Sequence, residues 1–390
     1  FSNASNLGTL SNKGTLTNIT NTGSIANLTN TKNLGTFTNT GALTTLSNTG
    51  SAGSITNKGT ITNQVKNQGT IAHFDNQGNL NGGFVNDTGA TLSKFSNTKN
   101  IGTFSNLGTI TSQVKNQGTI GNFDNKGNLS GGFVNDTGAT LSKFSNTSNL
   151  GTFSNLGTIT NQVKNQGTIA NFDNKGNLSG GFVNDTGATL SKFSNASNLG
   201  TLENKGNLGS ATNTGTLANL SNTGNAGSIA NKGTLTNITN TGSIANLTNT
   251  KNLGTLSNKG TLANATNTGS IASLTNTKNI GTFTNANGGT ITNQVINKGS
   301  ITSFTNQGNL KGGFVNNTGA TLTNFANSSN LSTFKNLGTL GSATNTGTLA
   351  NLTNTGSLAN LSNTKTIGTL ANIGSLGSAT NTGTLANLTN

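Results

Sequence analysis

A nine-residue phrase returns along almost the whole of this chain, and its period constrains the fold more than any other feature. Its clearest form is Thr239–Leu247, T-N-T-G-S-I-A-N-L, with Asn240 second, Gly242 fourth, Ile244 sixth and Leu247 ninth. Residues 2–64, 194–283 and 326–388 divide into such nonapeptides without gaps. Nine is not a helical period, and Thr, Asn and Gly are poor helix formers. Short units that cannot bury a core alone do so by stacking on their neighbours, which makes a solenoid.

From the ninth position of one module into the next, L-T-N-T-G-S-I alternates. Leu, Asn, Gly and Ile fall on one side, and Thr, Thr and Ser on the other, as in a strand with one buried face. Positions seven and eight then form a bend. Asn suits corners because its side chain bonds to nearby backbone, and identical Asn on stacked coils predict amide ladders. Two or three modules must make a turn. The expected fold is all-β, a single elongated parallel β-solenoid, right-handed as parallel β connections are. Eighteen residues per coil would place two short sheets across a thin core of Leu, Ile and Phe; a triangular 27-residue coil is the alternative. Variant modules do not choose between them. Thr248–Leu256 and Thr275–Phe283 lie 27 residues apart, whereas Lys335–Ala343 returns after 36 as Ala371–Ala379.

Composition agrees with this placement. Only 29% of the 390 residues are hydrophobic and 7% charged, a balance that leaves a chain disordered unless its apolar residues are strictly placed. There is no Pro, a residue without the N–H that an end-to-end ladder needs.

The middle of the chain carries a longer unit. Phe95, Phe144 and Phe193 mark near-identical blocks 49 residues apart, each with Q-V-K-N-Q-G-T-I, F-D-N and G-G-F-V-N-D-T-G-A-T-L-S-K-F. Val65–Phe95 is the first copy and Val295–Phe325 a diverged one. Near-identity points to recent duplication. The chain thus reads as regular tracts at 1–64, 194–291 and 326–390, a block tract at 65–193 and a diverged block at 292–325. Because 49 is not a multiple of nine, insertions are expected. We place them at Gly82–Gly83, Gly131–Gly132 and Gly180–Gly181 and at the S-K-F segments, since such departures map to bulges or corners. Phe84, Phe133 and Phe182 read as core filling.

The residues that carry chemistry are few. His73 is the only His, and Asn122 and Asn171 hold its place in the other blocks; there is no Cys. No nucleophile–base arrangement is recognisable, so no enzyme and no cofactor is expected. Asp75, Asp124 and Asp173 share one repeat position and Asp87, Asp136 and Asp185 another; the latter read as turn residues. Rows of carboxylates would be the arrangement for a cation, but the calcium-binding nonapeptide G-G-x-G-x-D-x-U-x lacks its Asp in nearly every module here, and no metal site is expected. The glycines lack the G-K-[ST] context of a phosphate loop. A net charge of +14 comes entirely from 21 Lys, with no Arg, the residue of choice for phosphate and base recognition, so specific nucleic-acid binding is not expected. Lys guards exposed strand edges and attracts anionic surfaces; Lys66, Lys115 and Lys164 are the candidate contacts. Thr at positions one, three and five would form outward ranks, the basis for an ice-binding alternative. No apolar run approaches a membrane span, and without a Met the chain reads as part of a longer precursor.

The recurring N-x-G-[TS]-[IL]-x-N phrase resembles the passenger regions of bacterial autotransporter and filamentous-haemagglutinin-like adhesins. The resemblance implies a secreted solenoid displayed on a Gram-negative surface, touching host or bacterial glycans or extracellular matrix. It transfers no functional residue, because such families share a scaffold and not a site. The function expected is a non-enzymatic adhesin stalk or extracellular fibre, with a self-assembling matrix filament, associating end to end or laterally, as its rival.

Overall fold

The computed structural model describes every residue from Phe1 to Asn390. The chain contains strands and no helix. It divides into two compact units, Phe1–Gly200 and Thr201–Asn390. Both are parallel β-solenoids of about 18 residues per turn, which selects the two-sheet coil over the triangular one.

Pairing defines the coil. In the second unit Ser243–Asn249 lies parallel to Thr261–Asn267, with Ser243 opposite Thr261 and Asn249 opposite Asn267. The strand between them, Asn252–Asn258, belongs to the facing sheet and pairs with Ser270–Asn276. Each module therefore contributes one strand, and two modules complete a turn. The first unit winds the same way, with Thr15–Asn21 on Asn33–Asn39 in one sheet and Asn6–Asn12 on Ser24–Asn30 in the other.

Within a module the strand runs from position five to position two of the next. Ser243–Asn249 buries Ile244, Leu247 and Asn249. The two aliphatics lie three apart because Ala245 and Asn246 both face out, and pairing skips Ala245. The expected bend at positions seven and eight is thus a kink inside one strand. The reversal between sheets falls instead at positions three and four, as at Thr241–Gly242. Gly242 is accordingly not an inward strand residue but a corner one. A Cβ on it would collide with the backbone of Thr223 and Gly224 on the coil below, so this corner as it stands has no room for a side chain at Gly242.

Three of the block insertions have clear positions. Buried asparagines Asn97, Asn106, Asn116, Asn125, Asn135 and Asn146 mark five modules of 9, 10, 9, 10 and 11 residues. One extra residue lies before each Val (Ile110 to Val114), one at each Gly-Gly pair (Leu129 to Phe133), and two in the corner Asp136–Ala139. The Gly-Gly expectation holds: Gly83, Gly132 and Gly181 take φ of 90°, 83° and 80°. The S-K-F expectation does not. Thr91–Asn97 is a regular strand with Leu92 and Phe95 buried three apart, and the two extra residues precede it.

Five modules are two and a half turns, so consecutive blocks face opposite sheets. Thr70–Asn76 and Thr168–Asn174 lie in one sheet and Thr119–Asn125 in the other. Phe84, Phe133 and Phe182 are fully buried. Phe84 stacks on Phe104 at 5.2 Å and meets Phe74 edge-on across the core at 4.9 Å.

Candidate functional site

The most conspicuous polar chemistry is internal. Asn240 is fully buried. Its Nδ2 donates to Asn258 Oδ1 at 2.8 Å and to the Thr261 carbonyl at 2.9 Å, while its Oδ1 accepts from Asn222 Nδ2 at 2.8 Å. Asn125 is bonded in the same way to Asn106 and Asn146 at 2.7 Å. With two modules per turn there are two such ladders in each unit, and no buried side-chain polar atom lacks a partner. A buried amide carries two donors and an acceptor, and each member is satisfied by its neighbours above and below. These asparagines hold coils together and present nothing to solvent.

Corner ion pairs come next. Lys66, Lys115 and Lys164 each bind a carboxylate on the following coil: Asp87 at 3.1 Å, Asp136 at 3.2 Å and Asp185 at 3.2 Å. The three lysines named as anionic-surface contacts are thus engaged within the chain. The aspartates cap their own turns, with the Thr88, Thr137 and Thr186 N–H donating to Oδ1 at 2.9, 2.9 and 3.0 Å. Their carboxyls sit below the usual range. The Lys66 hydrogen bond is the main cause for Asp87, and the Thr137 and Thr186 N–H groups for Asp136 and Asp185, with Lys115 and Lys164 adding to them. Asn317 keeps the same turn in the diverged block, its carbonyl accepting from the Ala320 N–H at 3.0 Å as that of Asp87 does from Ala90.

Cation-only surface lies elsewhere. The second unit has a single acidic side chain, Glu203, already paired with Lys205 at 3.2 Å. Lys259 and Lys278 line a corner groove of about 580 Å³ with Thr223, Thr241 and Thr261, and neither forms an ion pair.

Asp75, Asp124 and Asp173 do not form a row, because the half-turn in each block sends Asp124 to the opposite sheet. Each instead sits on an outer face. Asp124 borders a hollow of about 310 Å³ with Thr103, Asn122, Lys143 and Ser145. Asp173 borders another of about 490 Å³ with Thr152, Asn171, Lys192 and Ser194, each residue 49 further on. In the first block His73 takes the Asn place, exposed, beside Lys94. Sequence reading noticed these aspartates but missed the lysines that lie one coil away on the same sheet.

The expected Thr ranks form only in part: position one stacks as Thr248, Thr266, Thr284 and Thr305 on one sheet of the second unit. Position three lies in the corner, and position five on one sheet of the second unit runs Asn225, Ser243, Thr261, Asn279.

No protein-family model, no curated protein and no solved structure matches this chain.

Proposed function

We propose that this chain is a non-enzymatic, secreted or surface-displayed solenoid, an adhesin stalk or extracellular fibre of the kind exported by Gram-negative bacteria. The observation that carries this reading is the pair of buried Asn ladders, closed coil by coil by their own amide hydrogen bonds. Such a structure suits display, because its order is internal and its outer faces are free to vary. The unpaired lysines at the second unit's corner add a salt-sensitive attraction to acidic glycans. The adhesin reading predicts that beads coated with the chain adhere to bacterial or host cells; coated beads that behave like albumin-coated ones would sink it.

Self-assembly into a matrix filament is the second reading. The parallel pairing that joins each coil to the next, as Thr348–Asn354 on Thr366–Asn372, is the kind of contact by which a second copy would add. Electron microscopy of the purified chain separates the two. Discrete particles at every concentration support the stalk, and filaments that lengthen with concentration support assembly.

A further inference from the structure

We propose that the hollows around Asp124 and Asp173, with their counterpart at Asp75, are subsites for neutral hexose saccharides. This rests on the adhesin reading and gives it a site.

Three observations carry it. Lys at the eighth position of a module occurs only as Lys94, Lys143 and Lys192, and Asp at the first position only as Asp75, Asp124 and Asp173. The pairing register sets each Lys one coil beyond its Asp on the same sheet, Asn122 facing Lys143 and Asp124 facing Ser145. These lysines do not satisfy the aspartates: Asp124 pairs with Lys126 at 3.0 Å and Asp173 with Lys175 at 2.9 Å, while Lys143 and Lys192 form no ion pair and stand exposed. Finally, the diverged block supplies an internal contrast. It keeps the strand and the buried Phe304 and Phe325 but replaces Asp by Thr305 and Lys by Asn324. The charged pair is therefore separable from folding.

The chemistry selects the ligand. The Asp124 and Asp173 hollows each set a carboxylate acceptor, an ammonium donor, an amide that does both, and hydroxyls along three coils, about 10 Å at the usual strand spacing, and at Asp75 the His73 imidazole stands in the amide's place. Vicinal hydroxyls match this set, one donating to the Asp carboxylate while its neighbour accepts from Lys or Asn. Asp124 and Asp173 are already paired with Lys126 and Lys175, so their remaining lone pairs serve as hydroxyl acceptors while Lys143 and Lys192 are left as donors. Phe123 and Phe172 lie beneath and are covered, so no ring face is open for stacking. The Asp124 and Asp173 hollows open on opposite faces of the first unit, and Asp75 lies on the Asp173 face, five coils or about 24 Å away.

The test is biolayer interferometry of the purified chain against oligomannose and oligogalactose conjugates, at about 1 M salt, where the Debye length is ~3 Å and diffuse charge is screened. Saturable binding is expected. It should weaken about tenfold or more, the worth of one charge-assisted hydrogen bond, in a variant copying the diverged block (D75T, D124T, D173T with K94N, K143N, K192N). The melting transition should be unchanged. The milder K94N, K143N, K192N variant carries the same expectation and alters only exposed side chains. Absence of saturable binding to either conjugate, or equal binding by a folded variant, overturns the proposal. So does binding confined to alginate and abolished by salt. If the hollows fail while coated beads still adhere to cells, the adhesin reading stands without them. If saccharide binds but the beads adhere to nothing, that reading fails instead.

Discussion

At the scale of single residues, the second-position Asn decides whether coils stack. Its three ladder bonds make it the costliest polar residue to lose, since removal strands a buried donor on one side and a buried acceptor on the other. Asn125→Ala should destabilise the first unit by about 2–4 kcal/mol, read as a lower urea midpoint. Exposed Asn122→Ala, three residues away, should change it by less than ~0.5 kcal/mol. The ladder was legible in the sequence because an amide repeated at one register stacks on itself. Its face was legible too, since the L-T-N-T-G-S-I alternation sets Asn with Leu and Ile; the corner's place at positions three and four was not. The corner aspartates give a pH dependence. Their folded-state pKa values are lowered, so their stabilisation is present above the unfolded value near ~4 and is lost as pH falls through the lowered one. Urea melts between neutral pH and acid should show that loss, and the triple variant D87N, D136N, D185N should flatten it.

For the strand and its corner, the distinction is between two kinds of glycine. Gly242 has an ordinary φ but no room, its Cβ position being filled by the neighbouring coil's backbone. Gly138 has open space but a φ of 79°, a left-handed conformation that Asn tolerates. Gly242→Ala should therefore cost about 1–3 kcal/mol through overpacking, whereas Gly138→Asn should be nearly neutral; equal losses in urea melts would show that the corners do not stack as described. Sequence alone could not tell these glycines apart, because both follow a Thr in N-x-T-G or N-T-G phrases. The same ambiguity misplaced an insertion at S-K-F. The eye assigns the extra residues to the least familiar tripeptide, while the buried pair Leu92 and Phe95 keeps the normal interval and the slack is taken up in the preceding corner.

On the scale of the molecule, the nonapeptide made the class of fold legible, because modules so short bury a core only by stacking on one another. It did not fix the face on which a residue lies. Asp75, Asp124 and Asp173 look like one column in an alignment of blocks, and only counting modules per block separates them. Charge is likewise distributed by unit: six aspartates accompany the lysines of the first, and Glu203 is the sole acidic side chain of the second. Lys259→Asn with Lys278→Asn should accordingly lower retention on a sulfated-polysaccharide column, while Lys115→Asn, which removes an already paired charge, should lower it less. The reverse order would mean that the corner groove is not where acidic polymers land.

The odd number of modules in each block also makes copy number a parity. Excising one copy, as recombination between near-identical segments can do, would turn every later feature of that unit to the other side of the coil, whereas losing two would restore it. Gains and losses of single copies would thus swap which surface carries which groups while exchanging little more than Ile101 for Leu150 inside, a way of changing what is shown while keeping what holds it together.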